Sequence, residues 1–162
     1  MKALQFRHLK QFSIVGALSI ALIACDKDTL IDNNNGDPTY STTASASGSQ
    51  TTPPTTTNAS GTLTGEYNAR TNNWEYRINW TGLASTATAV LIHGPADIGT
   101  AGEMQAAVVI STPGVTGKAE GSISLNEVQE AYLLANRLYF TVVNATNING
   151  EVRGQIIVNR VR

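Results

Sequence analysis

Few side chains in this sequence are able to do chemistry, and this limits the reactions that it can support. Of its 162 residues, one is cysteine and two are histidine. His8 lies in an N-terminal segment that we predict to be removed, so His93 is the only imidazole expected in the mature chain. Neither a Gly-x-Ser-x-Gly elbow nor a phosphate-binding glycine loop accompanies it. The sequence therefore predicts a protein that is not an enzyme, with no catalytic residue assigned.

Carboxylates and metal ligands lead to the same conclusion. Several glutamates, among them Glu103 and Glu151, are able to form a carboxylate pair for glycoside hydrolysis, but nothing in their spacing selects two of them. A structural zinc ion needs four N, S or O ligands, and a catalytic one usually takes three from the protein. One histidine without a free cysteine falls short of both. We predict no metal and no cofactor, and expect His93 to be hydrogen-bonded at a strand end.

The single cysteine, Cys25, ends an N-terminal segment typical of bacterial export signals. The segment begins with basic residues, runs without charge from Phe12 to Ala24, and stops at a small residue before the thiol. Its last four residues, Leu-Ile-Ala-Cys, resemble the lipobox of bacterial lipoproteins, in which the cysteine becomes the acylated first residue. We predict a lipoprotein signal peptide at residues 1–24 and lipidation at Cys25. The alternative is a retained transmembrane helix, but the uncharged run is shorter than the about 20 apolar residues that span a bilayer.

Charge and anchoring indicate where the protein lies and which partners it takes. Removal of Lys2, Arg7 and Lys10 with the signal leaves 8 of the 11 basic and all 12 acidic side chains, a net charge of −4. No Lys/Arg cluster is present to follow a phosphate backbone, so we exclude nucleic acid as a partner. Two or three acyl chains would anchor the protein permanently. We expect it in the bacterial cell envelope, held to the membrane by its lipid, with the outer membrane or cell surface favoured.

The mature chain divides by composition into a tether and a folded head. After Cys25 the sequence is rich in Asn, Asp, Gly, Ser, Thr and Pro as far as Thr57, with little to bury. Such a composition is typical of a disordered segment. We therefore predict that residues 25–57 comprise the lipidated N-terminus and a disordered tether, and that residues 58–162 form one domain.

The head has the patterns of an all-β domain. Trp74, Tyr76, Ile78 and Trp80 alternate with polar residues, which predicts a strand with one buried face and an antiparallel hairpin over residues 60–80. Further strands are predicted at 86–93, 105–111, 116–124, 138–144 and 151–158. Residues 125–135 are predicted to form a helix, with a capping box at Ser124 and Glu127 and an apolar face of Leu125, Val128, Tyr132 and Ala135. Short strands with one connecting helix favour a Greek-key β-sandwich.

Several segments together resemble a known family. They are Ile92-His93-Gly94-Pro95-Ala96, Gly102-Glu103, Tyr139 and Asn149-Gly150-Glu151-Val152-Arg153-Gly154-Gln155. The chain from about Ala59 to Val158 is similar to the CHRD domain, the module repeated in chordin and found singly in many bacterial exported proteins. The resemblance implies an immunoglobulin-like β-sandwich. Many members carry histidines at the positions that Leu91 and Val143 occupy here, so a set of three imidazoles is reduced to one.

The polar residues of these segments are the candidate site. His93, Glu103, Glu151, Arg153 and Gln155 are predicted to form a binding or structural polar cluster. Side chains two residues apart on a strand lie on the same face, so we expect a structural ion pair between Glu151 and Arg153. The function favoured is a lipid-anchored envelope protein whose domain binds an envelope protein or glycan, or serves as a structural module. The alternatives are a metal-handling or hydrolytic domain that uses the histidine with loop carboxylates, and a passive envelope component.

Overall fold

The computed structural model describes residues 38–161, which form ten β-strands and one α-helix. The elements are β1 (Thr39–Ser47), β2 (Ser60–Asn68), β3 (Asn73–Thr81), β4 (Ala87–His93), β5 (Met104–Val108), β6 (Ile110–Thr112), β7 (Gly117–Ser124), α1 (Glu127–Leu134), β8 (Tyr139–Asn144), β9 (Val152–Gln155) and β10 (Ile157–Arg160). None of the helical segments in this range has the length and apolar character needed to cross a membrane. The predicted signal peptide and Cys25 lie outside the described residues.

All strand pairs are antiparallel, and they form one continuous sheet. Its order is β5-β4-β8-β9-β1-β2-β3-β7-β6, with β10 paired to β1. The two end strands, β5 and β6, are separated in sequence only by Val109, so the sheet must curl until its edges approach. The prediction of an all-β fold with one helix is confirmed, and the sheet is nearly closed and barrel-like. The immunoglobulin-like Greek-key sandwich stays a prediction.

The hairpin predicted from alternating aromatic residues is confirmed. β2 pairs with β3 from Ser60 opposite Thr81 to Asn68 opposite Asn73. The apolar face of β3 is buried as expected, and Trp80 lies between Gly61 of β2 and Gly117 of β7. A Cβ atom on that second glycine would lie 2.6 Å from the indole ring. Glycine at the facing position of each neighbouring strand therefore leaves the space that the aromatic ring occupies.

The prediction of a disordered tether is wrong for residues 39–57. β1 pairs with β2 along its whole length and with β9 and β10 on its other side. Its side chains Thr42, Ala44 and Ala46 are buried. The segment that follows packs as well, since Thr55 donates from its backbone N–H to Gly48 O at 3.0 Å. A strand between two others is stabilised by ladder hydrogen bonds on both sides, so small side chains suffice for its burial.

The helix and the last strands differ in detail from the prediction. The capping box is formed by Asn126 and Gln129, two residues later than predicted. Leu133, which lies on none of the predicted positions, is the fully buried side chain of α1, whereas Val128 is exposed. The continuous strand predicted at 151–158 is divided at Ile156, which is fully buried. Before the division the chain lies between β8 and β1, and after it the chain pairs with β1 alone.

Candidate functional site

A cavity of about 250 Å³ lies on the outer face of the sheet at strands β4, β8 and β9. Alternation along these strands sends one set of side chains into the core and the other set outward. The outward set forms the floor of the cavity, and its members are Leu91, His93, Tyr139, Thr141, Val143 and Arg153. Residues 51–52, 101–102 and 148–149 form the walls. A rigid sheet thus positions the floor, and loops enclose it.

Tyr139 organises the centre of this floor. Its strand, β8, lies between β4 and β9, so His93 and Arg153 approach its ring from opposite neighbouring strands. The His93 ring stacks on it with centroids 5.1 Å apart and planes 9° apart. The Arg153 Cζ atom lies 3.6 Å from the ring centroid, a cation–π distance. The Tyr139 hydroxyl accepts from Gly102 N–H at 3.0 Å, which fixes the ring to the wall.

Arg153 is buried, with 2% of its surface exposed, and is held by uncharged acceptors. Nη1 donates to Thr52 Oγ1 at 3.1 Å and to Thr100 O at 2.6 Å. Nη2 donates to Asp97 O at 3.2 Å and to Gln155 Oε1 at 3.3 Å. Burial lowers the pKa of Arg153 from its ordinary value, yet a guanidinium stays charged in proteins. The cavity therefore has a full positive charge in its floor.

His93 is held as a neutral imidazole. Its Nδ1 lies 3.3 Å from Gly102 O, and because a carbonyl only accepts, this nitrogen must be the one that carries the proton. Burial lowers the pKa of His93, the bond to Gly102 opposes this, and the charge of Arg153 lowers it further. The other ring nitrogen, Nε2, then has a lone pair and no hydrogen-bond partner among residues 38–161. The prediction of a hydrogen-bonded histidine at a strand end agrees with this geometry.

Thr141 is a site residue that the sequence analysis did not single out. It lies on β8 between Leu91 of β4 and Arg153 of β9. Its side chain is buried, with 4% exposed, and Oγ1 has no hydrogen-bond partner in the described part of the chain. An unpaired buried hydroxyl costs on the order of 1–3 kcal/mol. A threonine in a β-strand carries no sequence signal that distinguishes it from a purely structural residue.

Of the predicted polar cluster, the structure brings His93, Arg153 and Gln155 together. The Gln155 amide donates to Ala96 O at 3.0 Å and to Asn136 O at 2.8 Å, while its oxygen accepts from the guanidinium. Glu103 has an exposed side chain that does not line the cavity.

The predicted ion pair between Glu151 and Arg153 is wrong. Glu151 precedes β9, and its buried carboxylate accepts from Thr57, Ala84 and Asn144, away from the cavity. No ion pair joins the two residues within the described range.

The positions where the family resemblance implied further histidines lie at this same cavity. Leu91 and Val143 line it together with His93, and both are apolar here. Within residues 38–161, no three His, Cys, Asp or Glu side chains are grouped so that they could hold a metal ion. The side chains of this cavity are suited to hydrogen bonding and charge recognition.

A second, wider groove lies on the outer face of β2, β3 and β7. Glu66 and Glu75 face each other across two of these strands, and Arg77 forms an ion pair with Glu120 at 3.0 Å. Lys118, also within 2.9 Å of Glu120, is the main cause of the lowered pKa of that carboxyl. Exposed pairs of this kind contribute little, because water and salt screen them. The groove has the character of a solvated sheet surface.

Comparison with known proteins identifies the family of the chain. Residues 42–156, well over half of the 162, match the model of the CHRD domain. Neither a curated protein nor a solved structure matches the chain. The match begins inside β1, which agrees with the structure in placing the start of the domain before residue 58. The chain belongs to the CHRD domain family.

Proposed function

We propose that this protein is a lipid-anchored component of the bacterial envelope whose CHRD domain binds a ligand in the cavity on β4, β8 and β9. One observation carries the proposal: His93, Tyr139 and Arg153 converge, with the unpaired hydroxyl of Thr141, in one cavity walled by loops. A concave site with a few convergent polar groups is the usual form of a ligand site. The CHRD family is a kind of β-fold interaction domain, which agrees with binding.

The chemistry of the lining favours recognition over catalysis. The cavity contains one imidazole, hydroxyls, an amide and a guanidinium, with neither a carboxylate nor a thiol among its lining residues. General acid–base catalysis transfers a proton through a side chain that is positioned against the reacting group. The His93 ring is stacked and bonded through Nδ1, so it serves as part of a fixed surface.

The size of the cavity restricts what enters it. A volume of about 250 Å³ is below the roughly 300–1,000 Å³ of drug-sized ligand pockets. The occupant is therefore a small molecule or a single group that protrudes from an envelope protein or glycan.

Cavity binding is tested by filling the cavity. Val143→Trp places a large ring on its floor, while Thr64→Trp, on the exposed face of β2, is the matched control. Both variants and the wild type are screened against fractionated envelope extracts by thermal shift, with tryptophan fluorescence as the signal. We expect at least one fraction to stabilise the wild type and the control but not the filled variant. The proposal fails if every stabilising fraction acts equally on all three proteins.

The lipid anchor is tested separately at Cys25. Cys25→Ser removes the thiol that would carry the acyl chains. We expect this variant to lose incorporation of labelled palmitate and to leave the membrane fraction. Unchanged labelling would exclude anchoring at this residue.

A further inference from the structure

The charge balance of the cavity indicates what kind of ligand it takes. The four hydrogen bonds of Arg153 go to carbonyl, hydroxyl and amide oxygens, which satisfy N–H groups but carry no full negative charge. Asp97 accepts from the guanidinium through its backbone oxygen, while its side-chain carboxylate is 79% exposed and lies 3.6 Å from Arg137. Buried charges in proteins are normally paired, because leaving one uncompensated is costly. A ligand that enters this cavity is expected to supply the missing negative charge.

Hydrogen-bond donors for such a ligand are available at the same place. The hydrogen bonds of Arg153 within residues 38–161 run from Nη1 and Nη2 and leave the N–H on Nε unused. The hydroxyl of Thr141 is buried without a partner in the same range. These two residues are direct neighbours across β8 and β9. Asn149 lines the same cavity. One charge with two or three donors suits the two oxygens of a carboxylate.

Part of the remaining lining is aliphatic. Leu91 and Val143 lie on the floor and Ala101 in the wall, while Ile148 at the rim is 76% exposed. A phosphate dianion would bring twice the negative charge of the single guanidinium and three oxygens for few donors. These features favour a monoanion with a short hydrocarbon body.

We propose that the cavity binds a carboxylate attached to a short aliphatic group, held by the Arg153 charge and the Thr141 hydroxyl. This inference rests on the proposed function of the cavity and narrows it to a ligand class. The same chemistry occurs in a free small acid and at the C-terminus of a peptide with an aliphatic last residue.

His93 should take up a proton when the carboxylate ligand binds. Tyr139 from β8 stacks on the His93 ring, Gly102 O accepts from Nδ1, and the charge of Arg153 from β9 acts on the ring, while the exposed side chain of Glu103, next to Gly102, lies outside the cavity. In the free protein the Nε2 lone pair would repel an entering carboxylate, whereas a protonated ring would donate to it. Affinity for the acid is therefore expected to rise as the pH falls from about 8 to about 6, by at most tenfold per pH unit for one proton.

The test compares an acid with its uncharged isostere on the full chain purified in detergent. The probes are 3-methylbutanoate and 3-methylbutanamide, titrated by ligand-observed saturation-transfer NMR at both pH values. We expect the acid to bind at least tenfold more tightly than the amide, and more tightly at the lower pH. A peptide ending in valine, with a free or an amidated C-terminus, shows whether the carboxylate at the end of a chain is accepted as well.

Thr141→Val is the variant that tests the donor, with Thr64→Val on the exposed face of β2 as its control. Because the Thr141 hydroxyl has no partner in the free protein, its removal should leave Tm unchanged or raise it. The same change should weaken binding of the acid about tenfold to a hundredfold, as expected for the loss of one hydrogen bond to a charged group, while the control changes neither. A hydroxyl that served the fold alone would give a lower Tm and unchanged affinity, and this result would overturn the role of Thr141.

Failure of the ligand class is distinguishable from failure of the cavity. Equal binding of acid and amide, or binding of neither probe, would overturn the carboxylate proposal. If Val143→Trp still abolished stabilisation by an envelope fraction, ligand binding in the cavity would stand even though the ligand is not a carboxylate. Acid binding that persists in Val143→Trp would show that the carboxylate lies elsewhere and would refute the site.

Discussion

The buried carboxylate of Glu151 provides the sharpest test of how this domain is held together. Its side chain is fully buried. Both oxygens lie near the backbone N–H of Ala84, at 3.1 and 3.0 Å, and Thr57 Oγ1 donates to one of them at 2.6 Å. Asn144 Nδ2 donates to the other. One carboxylate therefore joins three segments that are distant in sequence.

The change Glu151→Gln keeps the shape of the side chain and removes its charge. An amide has one oxygen and one NH₂ group, so at least one of the three donors loses its acceptor. Hydrogen bonds to charged groups contribute about 1.5–3 kcal/mol each, and an unsatisfied buried donor costs about 1–3 kcal/mol. We expect a loss of about 2–4 kcal/mol, a large part of the 5–15 kcal/mol typical of a domain. This corresponds to a fall in Tm of roughly 6–15 °C for a domain of this size.

Urea unfolding measures this loss, with the fluorescence of buried Trp74 and Trp80 as the signal. The matched control is Glu75→Gln on the outer face of β3, where the side chain is exposed and we expect a change within about 0.5 kcal/mol. A loss below about 0.5 kcal/mol for Glu151→Gln, with an unchanged m value, would refute the argument. It would mean that the three donors find other acceptors.

Three further predictions concern the core, the histidine and metals. Trp80→Ala should lower the free energy of unfolding by about 3–5 kcal/mol in the same urea assay, since the ring is 2% exposed and donates to Gly114 O at 3.0 Å; a loss below about 1 kcal/mol would contradict its place in the core. The lowered pKa of His93 means that the unfolded chain takes up a proton which the folded chain does not, so stability should fall as the pH drops below about 6.5. His93→Gln should flatten this fall in Tm between about pH 7 and 5.5, and an unchanged slope would exclude the histidine as its cause. Elemental analysis of purified protein should find no stoichiometric zinc or copper, and metal that is lost in His93→Ala would overturn this.

The contrast between β3, which was predicted, and β1, which was not, lies in the size of their inward side chains. In β3 the aromatic residues alternate with polar ones, and the burial of each ring follows directly. In β1 the inward residues are Thr42, Ala44 and Ala46, whose small apolar surface does not stand out from the Ser/Thr-rich sequence around it. The stability of β1 comes from pairing with strands on both sides, and such pairing is not local information.

The site was predictable only where its residues belong to the family segments. His93 and Arg153 were named from those segments, whereas Thr141 became a candidate only through its register opposite Leu91 and its unpaired hydroxyl. The ion-pair prediction failed because alternation was extended one residue too far. β9 begins at Val152, so the Glu151 side chain is free to turn toward Ala84.

Most of residues 151–155 hold the fold together. Stability and the choice of ligand therefore depend largely on different residues. Glu151 joins loops, Gly154 leaves room for Phe140, and Gln155 holds the loop that carries Ala96. A Cβ atom on Gly154 would lie 2.8 Å from that ring, so changes along this segment alter the fold itself. On the cavity floor, Leu91, Thr141 and Val143 make no such connection, since two are apolar and the hydroxyl of the third is unpaired in the described part of the chain. Variants there should therefore change what is bound while leaving the domain folded, which is the behaviour expected of a binding site carried on a constant β-sheet.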